Sequence, residues 1–166
     1  MSQEELKARK REALVRAYLN DTLSKLYSGV SELSEEAAET VLKEASKACA
    51  NGWLPFLAHN FGFDPEKFYL DAFLVAEEKM LKDFSGGKAS ITRQGNIITE
   101  ILAPGCCTCP LVTVHNMVKP FPNYCLCAKN GYKALYEAAL KRPVKVDMIE
   151  TYNMGGNCCH FKIELL

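Results

Sequence analysis

Seven of the eight cysteines in the chain lie in three short groups in its second half. The groups are Cys106-Cys107-Thr108-Cys109, Cys125-Leu126-Cys127 and Cys158-Cys159. Thiols clustered in this way bind metals, act as nucleophiles or redox centres, form disulfides, or pack as small apolar side chains. The chemistry of this protein is therefore sought first around these residues.

Disulfides are the least favoured of these alternatives. The first residues, MSQEELKARKREALVRAY, are charged and helical in pattern and lack the apolar core of a signal peptide. We therefore expect a cytoplasmic protein, in which thiols are kept reduced.

A zinc site is a stronger alternative. The pairs Cys107-x-Cys109 and Cys125-x-Cys127 together offer four thiolates to a tetrahedral ion. Structural zinc sites usually have two residues between paired cysteines, whereas here one residue separates them. A pocket of metal-free thiols and a reactive thiol therefore stand beside zinc as alternatives.

The composition predicts one ordinary globular domain spanning residues 1–166. Hydrophobic residues make up 48% of the chain and charged residues 24%, and twenty basic residues balance twenty acidic ones. A neutral chain without a basic stripe gives no electrostatic basis for binding nucleic acid or an anionic membrane. No apolar run has the roughly 20 residues that cross a bilayer.

Apolar spacing predicts an α+β fold. The first half carries helical stripes, including Leu14 to Tyr27 and Phe68 to Phe84, which we expect to face the core. A hairpin around Gly95-Asn96, a helix from about Cys127 to Lys141 and two strands follow. We therefore predict N-terminal helices packed on an antiparallel sheet, with a C-terminal helix–strand–strand unit.

Alternation in the last two strands directs two polar side chains inward. Glu150 has the parity of Met148 in one strand, and Cys159 has the parity of Phe161 in the other. If both apolar faces meet one core, Glu150 and Cys159 converge there, where a carboxylate needs a partner or a metal. The alternative is that Glu150 lies at a fraying strand end and reaches water.

The C-terminal run CLCAKNGYKALYEAALKRPVKVDMIETYNMGGNCCHFKIEL has a recognisable order of features. A cysteine precedes a Gly-Tyr helix, and an RPVKV strand, a glutamate, a glycine-containing turn and a Cys-x-Phe-x-Ile strand follow. This order resembles the superfamily of vinyl-4-reductase-type ligand-binding domains. Within it, the chain is most similar to bacterial L-2-amino-thiazoline-4-carboxylic acid hydrolase-like proteins.

The resemblance implies a small-molecule pocket with a zinc ion beside it. Carried over by position, the metal ligands are Cys127, Glu150 and Cys159. Asn153 replaces a further cysteine of the pattern, so the metal set needs a sulfur from elsewhere. Candidates for it are Cys107, Cys109, Cys125 and Cys158, of which we favour Cys107 or Cys109. From the apolar faces and the resemblance together, we expect Tyr132, Met148 and Phe161 to line the pocket.

Two functions of different class follow from these expectations. The favoured one is a small-molecule binding or sensing domain, which acts alone or as a homodimer. The alternative is a hydrolase of a cyclic amidine or amide, such as a thiazoline carboxylate, that uses a thiol or a metal-bound water. Its candidate catalytic residues are Cys109 or Cys127 as nucleophile and His115 or Glu150 as base.

Overall fold

The computed structural model describes residues 2–67, 69–103, 105, 107, 109 and 123–166, except for the side chain of Cys49. This part of the chain contains four α-helices, four strands and one 3₁₀ turn. The helices are α1 (Gln3–Ser31), α2 (Glu35–Phe61), α3 (Leu70–Ser85) and α4 (Leu126–Leu140). The strands are β1 (Ala89–Gln94), β2 (Ile97–Leu102), β3 (Val144–Glu150) and β4 (Cys159–Leu165), and the 3₁₀ turn is Tyr152–Met154.

The strands form one antiparallel sheet in the order β1-β2-β4-β3. Gly95 has a positive φ of 61° at the tip of the β1–β2 hairpin, a conformation that favours glycine. Helices α3 and α4 pack on the sheet, and α2 packs on both of those helices. The predicted α+β class is therefore confirmed.

Helix starts follow from local side-chain chemistry. The Ser34 hydroxyl caps α2 by accepting the backbone N–H of Ala37, as expected for a serine before two glutamates. Helix α3, in contrast, begins at Leu70 and not at the Asp64-Pro65 pair, although an aspartate followed by a proline is favourable for a helix start. The Asp64 side chain instead accepts the N–H groups of Glu66 and Lys67 and closes a turn.

The inward face predicted for α1 is wrong along most of the helix, whereas that of α3 is confirmed except near its end. In α1 the side chains of Leu14 and Tyr18 are 71% and 69% exposed, and burial begins only at Tyr27. In α3, Phe73 is fully buried, but Phe84 is half exposed near the helix end. In both helices the apolar stripe is longer than the surface of the core that it meets.

The inward orientation predicted for Glu150 is also wrong. Met148 pairs with Phe161 as strand alternation requires, but a bulge follows, and Glu150 pairs with His160. A bulge adds one residue to one strand and reverses the facing of every residue beyond it. Glu150 therefore shares a face with His160, whereas Cys159 stays on the face of Phe161.

Candidate functional site

Three of the cysteines surround the 3₁₀ turn. The Asn153 side-chain nitrogen lies 3.7 Å from the sulfur of Cys107 and 3.5 Å from the sulfur of Cys125. Cys159 is near both sulfurs, and its pKa is raised to about 11, first by burial and further by these neighbouring thiols. At neutral pH the Cys159 thiol is therefore protonated and a poor nucleophile.

Cys109 and Cys127 lie on the side of the cysteine region next to α1 and α2. The Cys109 sulfur is 2.9 Å from the Tyr124 hydroxyl, and the Cys127 sulfur is 3.6 Å from the Ser46 hydroxyl. Burial raises the pKa of Cys127, so this thiol also lacks the character of a nucleophile. The hydrogen bonds and apolar contacts here give the two thiols a packing role.

Glu150 belongs to neither group. Its carboxylate accepts a hydrogen bond from the Cys158 thiol at 2.9 Å and another from the Asn157 backbone N–H. The Cys158 contact is the main cause that lowers the pKa of Glu150. Glu150 is therefore an ionised side chain of the β3–β4 turn, outside the predicted cluster.

The predicted zinc ligands do not fit a shared ion. Cys107 and Cys159 flank the 3₁₀ turn, Cys109 and Cys127 lie toward α1 and α2, and Glu150 is on the other sheet face. Among the described residues, no group of three or more His, Cys, Asp or Glu side chains could hold a metal ion. His115 lies outside the described residues. We derive no chemistry through zinc.

Asn153 makes this conclusion testable, because it occupies the position of the missing cysteine. Asn153→Cys would place a third sulfur beside Cys107 and Cys125, and water would complete a tetrahedral site. We expect reduced Asn153→Cys protein to retain about one zinc per chain by elemental analysis, and the wild type far less. Asn157→Cys, in the exposed turn, is the control. A full equivalent of zinc in the wild type would contradict this assignment.

A different polar cluster is buried in the core itself. Glu77 of α3 and Glu100 of β2 are both 0% exposed. Glu100 lies on the helix-facing side of the sheet, between Ile98 and Leu102 and opposite Phe161. Glu77 lies one helical turn after Phe73 on the buried stripe of α3. The structure thus brings together two acids that our sequence reasoning missed.

The sequence carries a signal for both acids. Ile98, Glu100 and Leu102 share one strand face, so the alternation argument we applied to β3 and β4 also directs Glu100 inward. In α3, Glu77 follows Phe73 by four residues and precedes Leu81 by four, in the middle of an apolar row. An acid at such a position indicates a site, because carboxylates are rarely buried.

Hydrogen bonding leaves the two carboxylates incompletely satisfied. The Tyr136 hydroxyl of α4 donates to Oε1 of Glu100. Oε2 of Glu100 and both carboxylate oxygens of Glu77 have no partner at normal hydrogen-bond geometry among the described residues. The Tyr136 hydroxyl is near Glu77 and the Tyr132 hydroxyl is near Glu100, so these two hydroxyls act on the acids through weaker contacts. Three buried acceptor atoms next to an apolar core are costly unless protons, water or a ligand satisfy them.

The electrostatics of the pair follow from this burial. Burial raises the pKa of Glu100 to about 7, although the Tyr136 and Tyr132 hydroxyls oppose the shift. Burial and the neighbouring Glu100 charge raise the pKa of Glu77 well above its usual range. The pair therefore holds at least one proton at neutral pH.

Aromatic rings surround the acid pair. The ring of Tyr132 lies 4.5 Å from that of Phe161, and the ring of Tyr136 lies 5.2 Å from that of Phe73, edge to face. The Cys159 thiol also contributes to the raised pKa of Tyr132, so this cysteine lies near the cluster. We call Glu77, Glu100, Tyr132 and Tyr136 the acid–tyrosine cluster.

Two of the predicted pocket residues lie close together beside this cluster. Met148 pairs with Phe161, and the Phe161 ring lies tilted against the Tyr132 ring. A surface groove of about 570 Å³ lies elsewhere, between α2, α4 and β3. Charged residues line much of that groove, and Tyr132, Met148 and Phe161 are not among its lining residues. Their part in a ligand pocket stays a prediction.

The described architecture is that of an α+β domain in which helices cover one antiparallel sheet and enclose a polar centre. A solved structure with this fold is a trafficking protein particle complex subunit 3 from Naegleria fowleri, covalently bound to palmitic acid. The two align with a TM-score of 0.61 over 93% of this chain and 96% of that one, at 12% identity, so the likeness is one of fold. No family model and no curated protein matches the sequence.

Proposed function

We propose that this protein is a small-molecule-binding domain whose ligand is anchored by the acid–tyrosine cluster. The observation that carries the proposal is the set of three buried carboxylate oxygens to which no described residue donates a hydrogen bond of normal geometry. A ligand with N–H groups would supply those donors, and the aromatic rings would contact its apolar part. The fold supports the proposal indirectly, because the Naegleria protein of the same fold carries palmitic acid.

The chemistry of the cluster favours a cationic ligand. Within the part of the chain that the structure describes, the causes that set the pKa values of Glu77 and Glu100 are burial, repulsion between the two acids and tyrosine hydroxyls, with no basic side chain among them. A planar cation such as an amidinium would neutralise the acids and stack on Tyr132 or Tyr136. Without ligand, protons take its place.

A binding experiment tests this directly. We expect acetamidinium to bind the wild type measurably by calorimetry and acetamide, its neutral counterpart, to bind at least tenfold more weakly, because only the cation neutralises the acids. Binding should strengthen as the pH rises through about 7, where Glu100 loses its proton.

The Glu77→Gln variant distinguishes binding at the acid pair from nonspecific attraction of the cation to other charges on the protein. It should weaken acetamidinium binding at least tenfold, since about 1.4 kcal/mol is tenfold in affinity. Glu36→Gln, at an exposed position of α2, should leave binding unchanged. Equal binding of acetamidinium and acetamide, or unchanged binding in Glu77→Gln, would reject the proposal.

A hydrolase of cyclic amidines is the second candidate, and the same acid pair favours it. Two neighbouring carboxyls that titrate apart supply an acid and a base. Glu100, once ionised, would take a proton from a water molecule while the oxygen of that water attacks the amidine carbon. Protonated Glu77 would give a proton to the departing ring nitrogen or sulfur. Incubation with 2-amino-thiazoline-4-carboxylate should then yield a product heavier by one water, and Glu100→Gln should abolish the reaction.

We also propose a cytoplasmic location, where thiols are kept reduced. Within the described ranges, no helix is both long and apolar enough to cross a membrane. The six cysteines whose side chains are described form no disulfide with one another.

A further inference from the structure

Three thiols from separate parts of the chain meet beside the 3₁₀ turn. Cys107 lies outside the described helices and strands, Cys125 comes directly before α4, and Cys159 begins β4. The pKa of Cys159 is raised by burial and, further, by the nearby thiols of Cys107 and Cys125. All three are free thiols. Since no metal site is found among the described residues, the chemistry open to this group is that of the thiols themselves.

Cys107 and Cys125 share one hydrogen-bond donor. The side-chain nitrogen of Asn153 lies 3.7 Å from the sulfur of Cys107 and 3.5 Å from that of Cys125. Because both contacts are to the same atom, the two sulfurs are no further apart than these two distances together. Rotamer changes at the two side chains would shorten the gap toward the ~2.05 Å of an S–S bond.

Of the three thiols, Cys107 and Cys125 are the two that lie outside the sheet. Cys159 pairs with Leu102 in the ladder between β2 and β4, and the backbone N–H of Tyr152 donates a hydrogen bond to its sulfur. A disulfide fixes both the separation and the dihedral angle of its two cysteines. Two residues outside the sheet meet these requirements at a lower cost than a pair that includes a strand residue.

Burial gives the two thiols different roles. Cys125 is buried, whereas Cys107 is only half-buried. A dissolved oxidant therefore reaches Cys107 first, and Cys125 is the neighbour that reacts with the oxidised sulfur. Burial raises the pKa of Cys107, and the hydrogen bond from Asn153 opposes that rise. The Cys107 thiol is therefore mostly protonated at neutral pH and reacts slowly, so brief contact with an oxidant leaves it reduced.

We propose that Cys107 and Cys125 form an oxidation site, at which hydrogen peroxide converts the two thiols into a reversible disulfide. Peroxide transfers one oxygen to the sulfur of Cys107, which becomes a sulfenic acid, and its other oxygen leaves as water. The sulfur of Cys125 then attacks that of Cys107, the S–S bond forms, and the hydroxyl leaves as a second water. The two thiols lose two protons and two electrons in total, and the peroxide gains them.

A transient disulfide suits the cytoplasmic location proposed above. Cytosolic disulfides are usually short-lived and serve redox sensing, and a small thiol such as glutathione reduces them again by exchange. Cys125 directly precedes α4, the helix that supplies Tyr132 and Tyr136 to the acid–tyrosine cluster. Oxidation would therefore act at the start of that helix.

Peptide mapping of the wild-type chain tests the site. Reduced protein would be treated with one equivalent of hydrogen peroxide, its remaining thiols alkylated, and its chymotryptic peptides analysed by mass spectrometry without reduction. Chymotrypsin cleaves after Phe121 and Tyr124, so a bond from Cys107 to Cys125 appears as two linked peptides. We expect this link to predominate and to disappear on treatment with dithiothreitol. A predominant link between any other two cysteines, or no link, would overturn the proposal.

Serine variants identify the joined sulfurs, because the peptide that holds Cys107 contains two further cysteines. Cys107→Ser and Cys125→Ser should each lose the link. Cys158→Ser is the matched control and should retain it, because the Cys158 thiol contacts Glu150 in the β3–β4 turn. Circular dichroism would show whether each variant is folded, and the wild-type map decides where one is not. A link that persists in folded Cys107→Ser, or its loss from folded Cys158→Ser, would also overturn the proposal.

Discussion

Glu100→Gln protein is expected to lose about 2 to 3 kcal/mol less stability than the wild type between about pH 5 and pH 8, while buried Glu77 lowers the stability of both proteins as the pH rises. The reason is that the pKa of Glu100 is raised from 4.5 to about 7 on folding. An acid whose pKa rises on folding binds its proton more tightly in the folded state. Stability is therefore full below the unfolded pKa and falls as the pH rises toward the folded one.

Urea unfolding at a series of pH values measures this difference. Glutamine resembles the protonated acid and can still accept from the Tyr136 hydroxyl, so the variant should match the wild type in acid and exceed it in base. Glu36→Gln removes an exposed carboxyl from α2 and should follow the wild-type curve. If the free energies of unfolding of Glu100→Gln and the wild type changed equally with pH, the acids would be solvated or paired with a cation.

Phe73→Ala should destabilise the protein by about 3 to 5 kcal/mol, the usual cost of removing a buried aromatic ring. Phe73 is fully buried, and its ring contacts those of Phe63 at 5.4 Å and Tyr136 at 5.2 Å. The cavity would also remove the support that orients Tyr136 toward Glu100. Amidinium binding should therefore weaken in any Phe73→Ala protein that remains folded.

Phe84→Ala is the matched control for this change. It removes the same side chain from the same helix, but Phe84 is 50% exposed and stacks only loosely on Phe56, at 6.4 Å between ring centres. We expect it to cost less than about 1 kcal/mol, as is usual for surface positions. Similar losses in the two variants would show that α3 packs differently from this description.

The fold could be predicted where one hydrophobic periodicity ran along an element that packs against a single core. Alternation in Val144 to Met148 and in Phe161 to Leu165 placed both strands correctly, and the Gly95 turn identified the hairpin. Apolar spacing alone could not show that α1 extends beyond the domain, because an exposed row and a buried row have the same sequence pattern. Likewise, the bulge between Met148 and Glu150 could not be predicted, because the alternation of the residues before it is unchanged.

The candidate site was less predictable than the fold. Cysteine spacing drew attention to thiols that burial keeps protonated, as at Cys159. Glu100 was detectable from alternation in β2, and Glu77 from the apolar row of α3. Their proximity to each other and to Tyr136 depends on how α3 and α4 are placed over the sheet, which no local pattern specifies.

The acid–tyrosine cluster also has an evolutionary consequence. Replacing buried, unsatisfied acids with apolar residues of similar volume is often stabilising, so random drift would tend to remove Glu77 and Glu100 one after the other. If the pair serves binding or catalysis, selection must hold both acids against that tendency, together with Tyr132 and Tyr136 at their four-residue spacing. Homologous sequences should then retain or lose the four residues as a set, which makes the cluster a marker for sorting relatives by shared activity.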